Sequence, residues 1–303
     1  MKNTYKIFLG FLSVFALSIQ ANASLRIETT TQDLAAIAKA VGGERIDVHS
    51  LTLGTRDPHF AVAKPSMIRR VFRADLLLVI GADMEVGWLP PLLQSARNSR
   101  VLPGNPGYLD LSLVVPLLGK TTGPVDRSMG DVHAKGNPHY WLDPRNGIHI
   151  AKAIAKRLVQ LDPEHANAYQ NNLNAFENEV NRKLPQWQKA LTHLKGKPVI
   201  AYHNSLVYLA NTFGFHIVDE VEPKPGIAPS AATLGNLISR IKKENIKLLL
   251  IEPYYEHRSA DYLKQQTDIQ IAVIPQSVGA QPGIKTYIEL FDNIVKILSS
   301  LGK

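Results

Sequence analysis

Leu76-Leu77-Leu78-Val79-Ile80 is apolar at every position, so a strand built from it has no face that can be left to water. Surface strands alternate apolar and polar residues; a short run that is apolar throughout belongs in a sheet covered by helices on both sides, the usual setting of parallel strands. The second half carries a counterpart in Leu248-Leu249-Leu250-Ile251. Around the first run, strands are expected at 25–29 and 48–51. A helix through Leu34, Ile37 and Ala40 is stopped by Gly42 and Gly43, and a second opens at Pro65 and runs through Ile68 and Phe72. Around the second run, strands are expected at 199–202, 216–221 and 271–274. Helices are expected at 206–213, 231–244 and 261–265, with a terminal one carrying Tyr287, Leu290, Phe291, Ile294 and Ile297. The stretch 103–137, rich in Pro, Gly and Asp, reads mostly as loop. The fold class is therefore α/β: two lobes, each with a mainly parallel sheet flanked by helices.

A single stripe joins the halves. Tyr169, Leu173, Phe176, Val180, Leu184, Trp187, Leu191 and Leu194 recur at intervals of three and four, the spacing of one helix face. Some 30 residues at ~1.5 Å each reach about 45 Å, the length of a domain. Pro185 lacks the amide proton that a helix interior needs and is expected to kink or split this connector. A rigid joint of this kind limits opening and closing of the lobes.

Residues 1–23 read as a targeting signal. Lys2 and Lys6 precede an apolar run over 7–19 that is short for a bilayer, and Ala21-Asn22-Ala23 offers the small-x-small cleavage pattern. The expected division is a signal peptide at 1–23, an N-terminal lobe at 24–162, a connecting helix at 163–195 and a C-terminal lobe at 196–303. The mature chain would then be a secreted, periplasmic protein of two domains, since 280 residues exceed the usual span of one core. The 303 residues include no cysteine, which excludes disulfides, thiolate ligands, a cysteine nucleophile and a lipid-modified cysteine. The formal charge of +8 becomes +6 once Lys2 and Lys6 are removed, and the basic residues are scattered. No arginine-rich or aromatic-basic tract points to nucleic acid. Gly119-Lys120-Thr121 resembles the end of a phosphate loop, but Val114 stands where its first glycine is required. Energy for any transport must come from a partner.

Ten histidines are present, and His49, His149, His165, His193 and His216 read as surface or core residues. Three have a different setting. His59 stands in Asp57-Pro58-His59-Phe60, shortly after a strand. His139 stands in Asn137-Pro138-His139-Tyr140-Trp141-Leu142-Asp143-Pro144, ahead of a helix. His203 follows the strand at 199–202. Ligands of open α/β sheets gather at the carboxyl ends of strands, where His59 and His203 fall. The prolines before His59 and His139 stiffen the approach, and three neutral imidazoles with one further group complete a tetrahedron around Zn²⁺. Asp131 and His133, just ahead of the His139 block, read as ordinary loop, with a weak entry site for an ion as the sharper alternative.

These blocks, with Glu85 to Trp88 after Gly81-Ala82-Asp83, Tyr202-His203-Asn204 and Ile251-Glu252-Pro253, resemble the cluster A-I metal-binding receptors of bacterial zinc and manganese ABC importers. The likeness runs in family order over essentially the whole mature chain, and the block around His139 is its most specific part. It implies two α/β lobes joined by one rigid helix, and a metal in the cleft between them. It also implies delivery to an inner-membrane ABC permease with its ATPase. Carried over by position, His59, His139 and His203 are the implied ligands; a histidine at the third place, where manganese receptors carry a carboxylate, favours Zn²⁺ over Mn²⁺. The chain departs from the family pattern at Gln276, where an aspartate often supplies the fourth ligand. Glu252 is the expected replacement, either as ligand or as an acceptor behind an imidazole, with Gln276 itself or water as alternatives. The resemblance further implies that the transported Zn²⁺ is bound by a monomer that is not an enzyme. The competing readings are a secreted zinc-dependent hydrolase, for which His-Glu-x-x-His is absent, and a binding protein for Mn²⁺ or an iron chelate.

Overall fold

A computed structural model describes residues 24–120, 133–222 and 226–301. The expected signal peptide and Asp131 lie outside them. Among the described residues no helix is long and apolar enough to cross a membrane.

Among the described residues, eight strands form two four-stranded sheets of the same design. In the first, β1 (Leu25–Thr29), β2 (Ile46–Ser50), β3 (Leu76–Val79) and β4 (Tyr108–Asp110) lie in the order β2-β1-β3-β4. In the second, β5 (Pro198–Ala201), β6 (His216–Glu220), β7 (Leu248–Ile251) and β8 (Gln270–Val273) lie in the order β6-β5-β7-β8. Every pairing is parallel. The apolar runs are the inner strands β3 and β7, buried at all four positions. With both faces covered by helices there is no wet side to tolerate a polar residue. In both sheets the order reverses beside the first strand, so the crevices at the carboxyl ends of β1/β3 and β5/β7 are the natural ligand positions.

Nine helices among the described residues cover the sheets: α1 (Gln32–Gly42), α2 (Pro65–Arg73), α3 (Leu89–Ala96), α4 (Pro144–Leu161), α5 (Ala166–Ala190), α6 (Val207–Phe213), α7 (Ala231–Glu244), α8 (Arg258–Gln266) and α9 (Tyr287–Ser299). The stretch 103–137 is not all loop: β4 pairs with β3, and a 3-10 turn spans Leu111–Val114. A three-residue edge strand is too short for alternation to show, and α3 lies hidden in a Pro-Pro sequence that its first turn accommodates.

The connector α5 runs unbroken through Pro185, so the proline does not split it. Its buried face, Tyr169, Leu173, Phe176, Val180 and Trp187, is the stripe read from the sequence. Asn172 Nδ2 donates to the Val41 carbonyl at 2.9 Å at one end. At the other, Lys183 Nζ and Trp187 Nε1 both reach the Asp292 carboxylate at 2.8 Å. Trp187 also packs on Phe291, ring centroids 5.3 Å apart. One continuous apolar cluster runs from Ile27 and Leu78 of the first sheet through α5 to Ala201 and Leu250 of the second. Bending the molecule at α5 would open that cluster, an apolar loss of ~25 cal/mol for each Å² exposed.

Candidate metal centre

His59, His139 and His203 come together. One ring nitrogen from each lies within 4.8 Å of the others, and all three residues are buried. Ring centroids are 5.1 Å apart for His59 and His139, 5.8 Å for His59 and His203, and 5.7 Å for His139 and His203.

Two of the rings are held by one device used twice. Asp57 Oδ1 accepts from the backbone N–H of His59 at 2.9 Å and stands 2.7 Å from its Nδ1. Asn137 Oδ1 accepts from the backbone N–H of His139 at 3.0 Å and stands 3.0 Å from its Nδ1. A short side-chain oxygen two residues ahead folds back on the chain, and the intervening proline holds the turn open for it. Because Asn137 Oδ1 is only an acceptor, the proton of His139 is assigned to Nδ1 and the Nε2 lone pair faces inward. His139 Nε2 is fully buried and has no hydrogen-bond partner. Trp88 Nε1, donating to the Pro58 carbonyl at 2.9 Å, pins the His59 turn. Asp57 and Asn137 were not singled out by sequence reading, although the repeated Asx-Pro-His pattern carried the signal.

His203 enters from the second sheet, two residues beyond β5. Glu222 Oε2 stands 3.5 Å from its Nδ1, an ion-pair distance. Tyr255 packs beside it, centroids 5.9 Å apart, and stacks on Tyr202 at 4.8 Å. Asn137 Nδ2 donates to the Asn204 carbonyl at 2.6 Å, so the residue that orients His139 also reaches the segment that carries His203.

The charges around the rings pull in opposite directions. Burial, with His59, His203 and His133 nearby, pushes His139 well below the usual histidine range. Burial also pulls His203 down, but the nearby Glu222 carboxylate and the charges of Glu252 and Asp57 outweigh it and leave that ring raised. For Asp57, burial works upward, yet the hydrogen bond and charge of His59 hold it below its ordinary value. The site therefore favours positive charge at His203 while disfavouring a proton on His139. A divalent cation meets both demands where a proton meets only one.

Glu252 is fully buried at the end of β7, and burial raises it to about 7 against the opposing pull of His203 and Ser205. Its Oε1 accepts from Ser205 Oγ and its Oε2 has no partner. It is not part of the three-histidine group. Gln276, buried after β8, accepts from Tyr254 through Oε1 and from Trp141 Nε1 through its backbone carbonyl at 2.9 Å. His133 borders the group on the His59 side, its Nε2 at 3.1 Å from His59 Nε2.

Two doubly covered parallel sheets presenting buried imidazoles at their carboxyl ends, with carboxylates behind them, define a two-lobed metal-binding protein. The chain belongs to the family described as the zinc-uptake complex component A, periplasmic, whose model matches residues 27–301. The metal ABC transporter substrate-binding lipoprotein SsaB of Streptococcus sanguinis is 27% identical over 97% of this chain and 99% of its own. The manganese ABC transporter substrate-binding lipoprotein PsaA of Streptococcus mitis is 25% identical over the whole of both chains. Among solved structures, a zinc-bound ZnuA deletion mutant superposes with a TM-score of 0.76 at 22% identity, over 93% of this chain and 99% of that one. This protein is thus a substrate-binding component of a metal ABC importer and not an enzyme.

Proposed function

We propose that the protein captures Zn²⁺ outside the cytoplasm through His59, His139 and His203 and passes it to an inner-membrane permease driven by its ATPase. One observation carries this reading: three buried imidazoles from different segments meet within 4.8 Å, with the His139 Nε2 lone pair turned inward and unpartnered. Unpaired buried nitrogen is costly unless something completes it. Three nitrogen donors suit zinc better than manganese, which prefers oxygen. The zinc-uptake family match agrees with that choice, while PsaA of S. mitis is named for manganese. The relatives are named lipoproteins, and this chain has no cysteine to carry such an anchor. A cleaved signal at 1–23 and a free monomer of two lobes, 24–162 and 196–303 joined through 163–195, fit that difference.

Glu252 acts, on this reading, as a buried anion behind His203, offsetting part of the ion's charge. Native mass spectrometry of metal-stripped protein titrated with Zn²⁺ and Mn²⁺ tests the assignment. One tightly held zinc, displaced by manganese only at large excess, is expected; preferential manganese uptake would reverse the metal assignment and leave the receptor class standing.

A further inference from the structure

We propose that His133 is the fourth ligand of the ion, an inference that rests on the three-histidine reading above. The two donors facing each other are His59 Nε2 and His133 Nε2, 3.1 Å apart. Two nitrogens bound to one tetrahedral zinc at ~2.0–2.1 Å stand about 3.3 Å apart along an edge. The observed separation is close to that edge. Asp57 engages Nδ1 of His59, so Nε2 is the atom His59 has for the cluster, and that is the atom His133 meets.

The alternatives for the fourth place each give one oxygen to another partner. Gln276 takes the Tyr254 hydroxyl on its amide oxygen and is anchored by Trp141 through its backbone. Glu252 Oε1 is hydrogen-bonded by Ser205, whereas His133 Nε2 stands 3.1 Å from His59 Nε2. His133 is buried, its ring centroid 5.2 Å from that of His59.

Its position is built by the chain just ahead of the His139 block. The His133 carbonyl accepts from Gly136 N–H at 3.2 Å, closing a turn that leads directly into Asn137. Gly136 takes φ +125°, and a Cβ there would fall 2.8 Å from Leu117 Cβ and 3.0 Å from the Leu118 carbonyl. Only glycine meets both conditions. Asn137 N–H then donates to Leu118 O at 2.8 Å, so His133, Gly136, Asn137 and His139 form one braced unit. A ligand so held turns a three-nitrogen, one-oxygen site into a four-nitrogen one, which deepens the preference for zinc over manganese.

The test uses the mature chain with Zn²⁺ alone. Long-range ¹H–¹⁵N spectra of ¹⁵N-histidine-labelled protein identify each ring nitrogen that zinc shifts. Zinc-shifted resonances from His59, His133, His139 and His203 are expected. Competition against a chromogenic chelator should show His133→Ala weakening zinc about 100-fold, at or beyond the upper end of losing a mere supporting residue. Manganese affinity should change less. The metal-free melting temperature of His133→Ala, and the more conservative His133→Gln, check that a loss is not misfolding. A His133 ring unshifted by zinc, or His133→Ala within about threefold of the parent, would overturn the inference. If His139→Ala still loses zinc in that case, the three-histidine reading stands and the fourth ligand lies elsewhere. If His139→Ala is also harmless, the site reading itself fails.

Discussion

Asn137 grips His139 at two points through a single oxygen, its Oδ1 lying 3.0 Å from both the backbone nitrogen and the ring Nδ1. That grip sets which ring nitrogen carries the proton and aims the other at the cluster. Asn137→Ala should therefore weaken zinc by roughly 10- to 100-fold, the range for losing a group that orients a ligand, while His139→Ala should cost more. Asn137→Asp keeps the acceptor and copies the Asp57 arrangement, but loses the donor to Asn204, so an intermediate effect is expected. Chelator competition on the three variants ranks them; Asn137→Ala indistinguishable from the parent would show that packing alone orients the ring.

Zinc affinity should fall as pH drops through ~6.5, because ligation requires neutral imidazoles that protons compete for. Calorimetry at pH 7.5 and 5.5 measures this. Equal affinities would speak against histidine ligation.

The metal-free protein should show the opposite trend in stability. Burial raises Glu28, Asp33, Glu85 and Glu252 to about 7. A carboxyl whose folded value exceeds its unfolded one contributes stability that is complete below about 4 and is lost as pH rises through about 7. His139, depressed by burial, works the other way below its ordinary value, but it stands alone against four carboxyls and the raised His203. Melting temperature with chelator present should decline between pH 5.5 and 7.5. Asp33→Asn should flatten the slope by at most ~1.4 kcal/mol per pH unit. It should also loosen the tie between α1 and the loop after β8, where Asp33 accepts from Ser277 Oγ at 2.5 Å and Val278 N–H at 2.9 Å. A slope unchanged in Asp33→Asn would mean that this carboxyl already ionises in the folded protein.

Zinc should stabilise without wide domain closure. At a thousandfold excess over the dissociation constant, binding to the native state alone adds about 4 kcal/mol. The contacts of α5 with Val41 at one end and Asp292 at the other hold the lobes through a common core. Small-angle scattering of metal-free and zinc-loaded protein should superpose; a clear contraction on loading would refute the rigid connector.

Gln276→Ala should leave zinc affinity within a few-fold, since its amide oxygen serves Tyr254. Glu252→Gln, altering an anion behind His203, should cost up to about 10- to 100-fold. Strong loss from Gln276→Ala with Glu252→Gln harmless would assign the amide oxygen to the ion.

The architecture was legible in the sequence because it is written in local patterns. All-apolar runs at β3 and β7 announce strands buried on both faces, and the three-and-four stripe from Tyr169 to Trp187 announces α5. Asx-Pro-His and the residues after β5 marked the three histidines, since each lies at a strand end or turn that chain geometry alone makes a place for ligands. Short β4, α3 and the continuity of α5 through Pro185 were not legible, because neighbours stabilise them where local propensity is weak or adverse. Which oxygen orients each ring, and which residue faces the remaining place beside His59, depend on separations of about 3 Å between segments far apart in sequence. His133 and His59 are 74 residues apart, and no spacing rule relates them. Their meeting depends on how the turn at Gly136, braced on Leu117 and Leu118, packs against the turn that carries His59, so only the tertiary structure could bring His133 beside His59 and set Glu252 against Ser205.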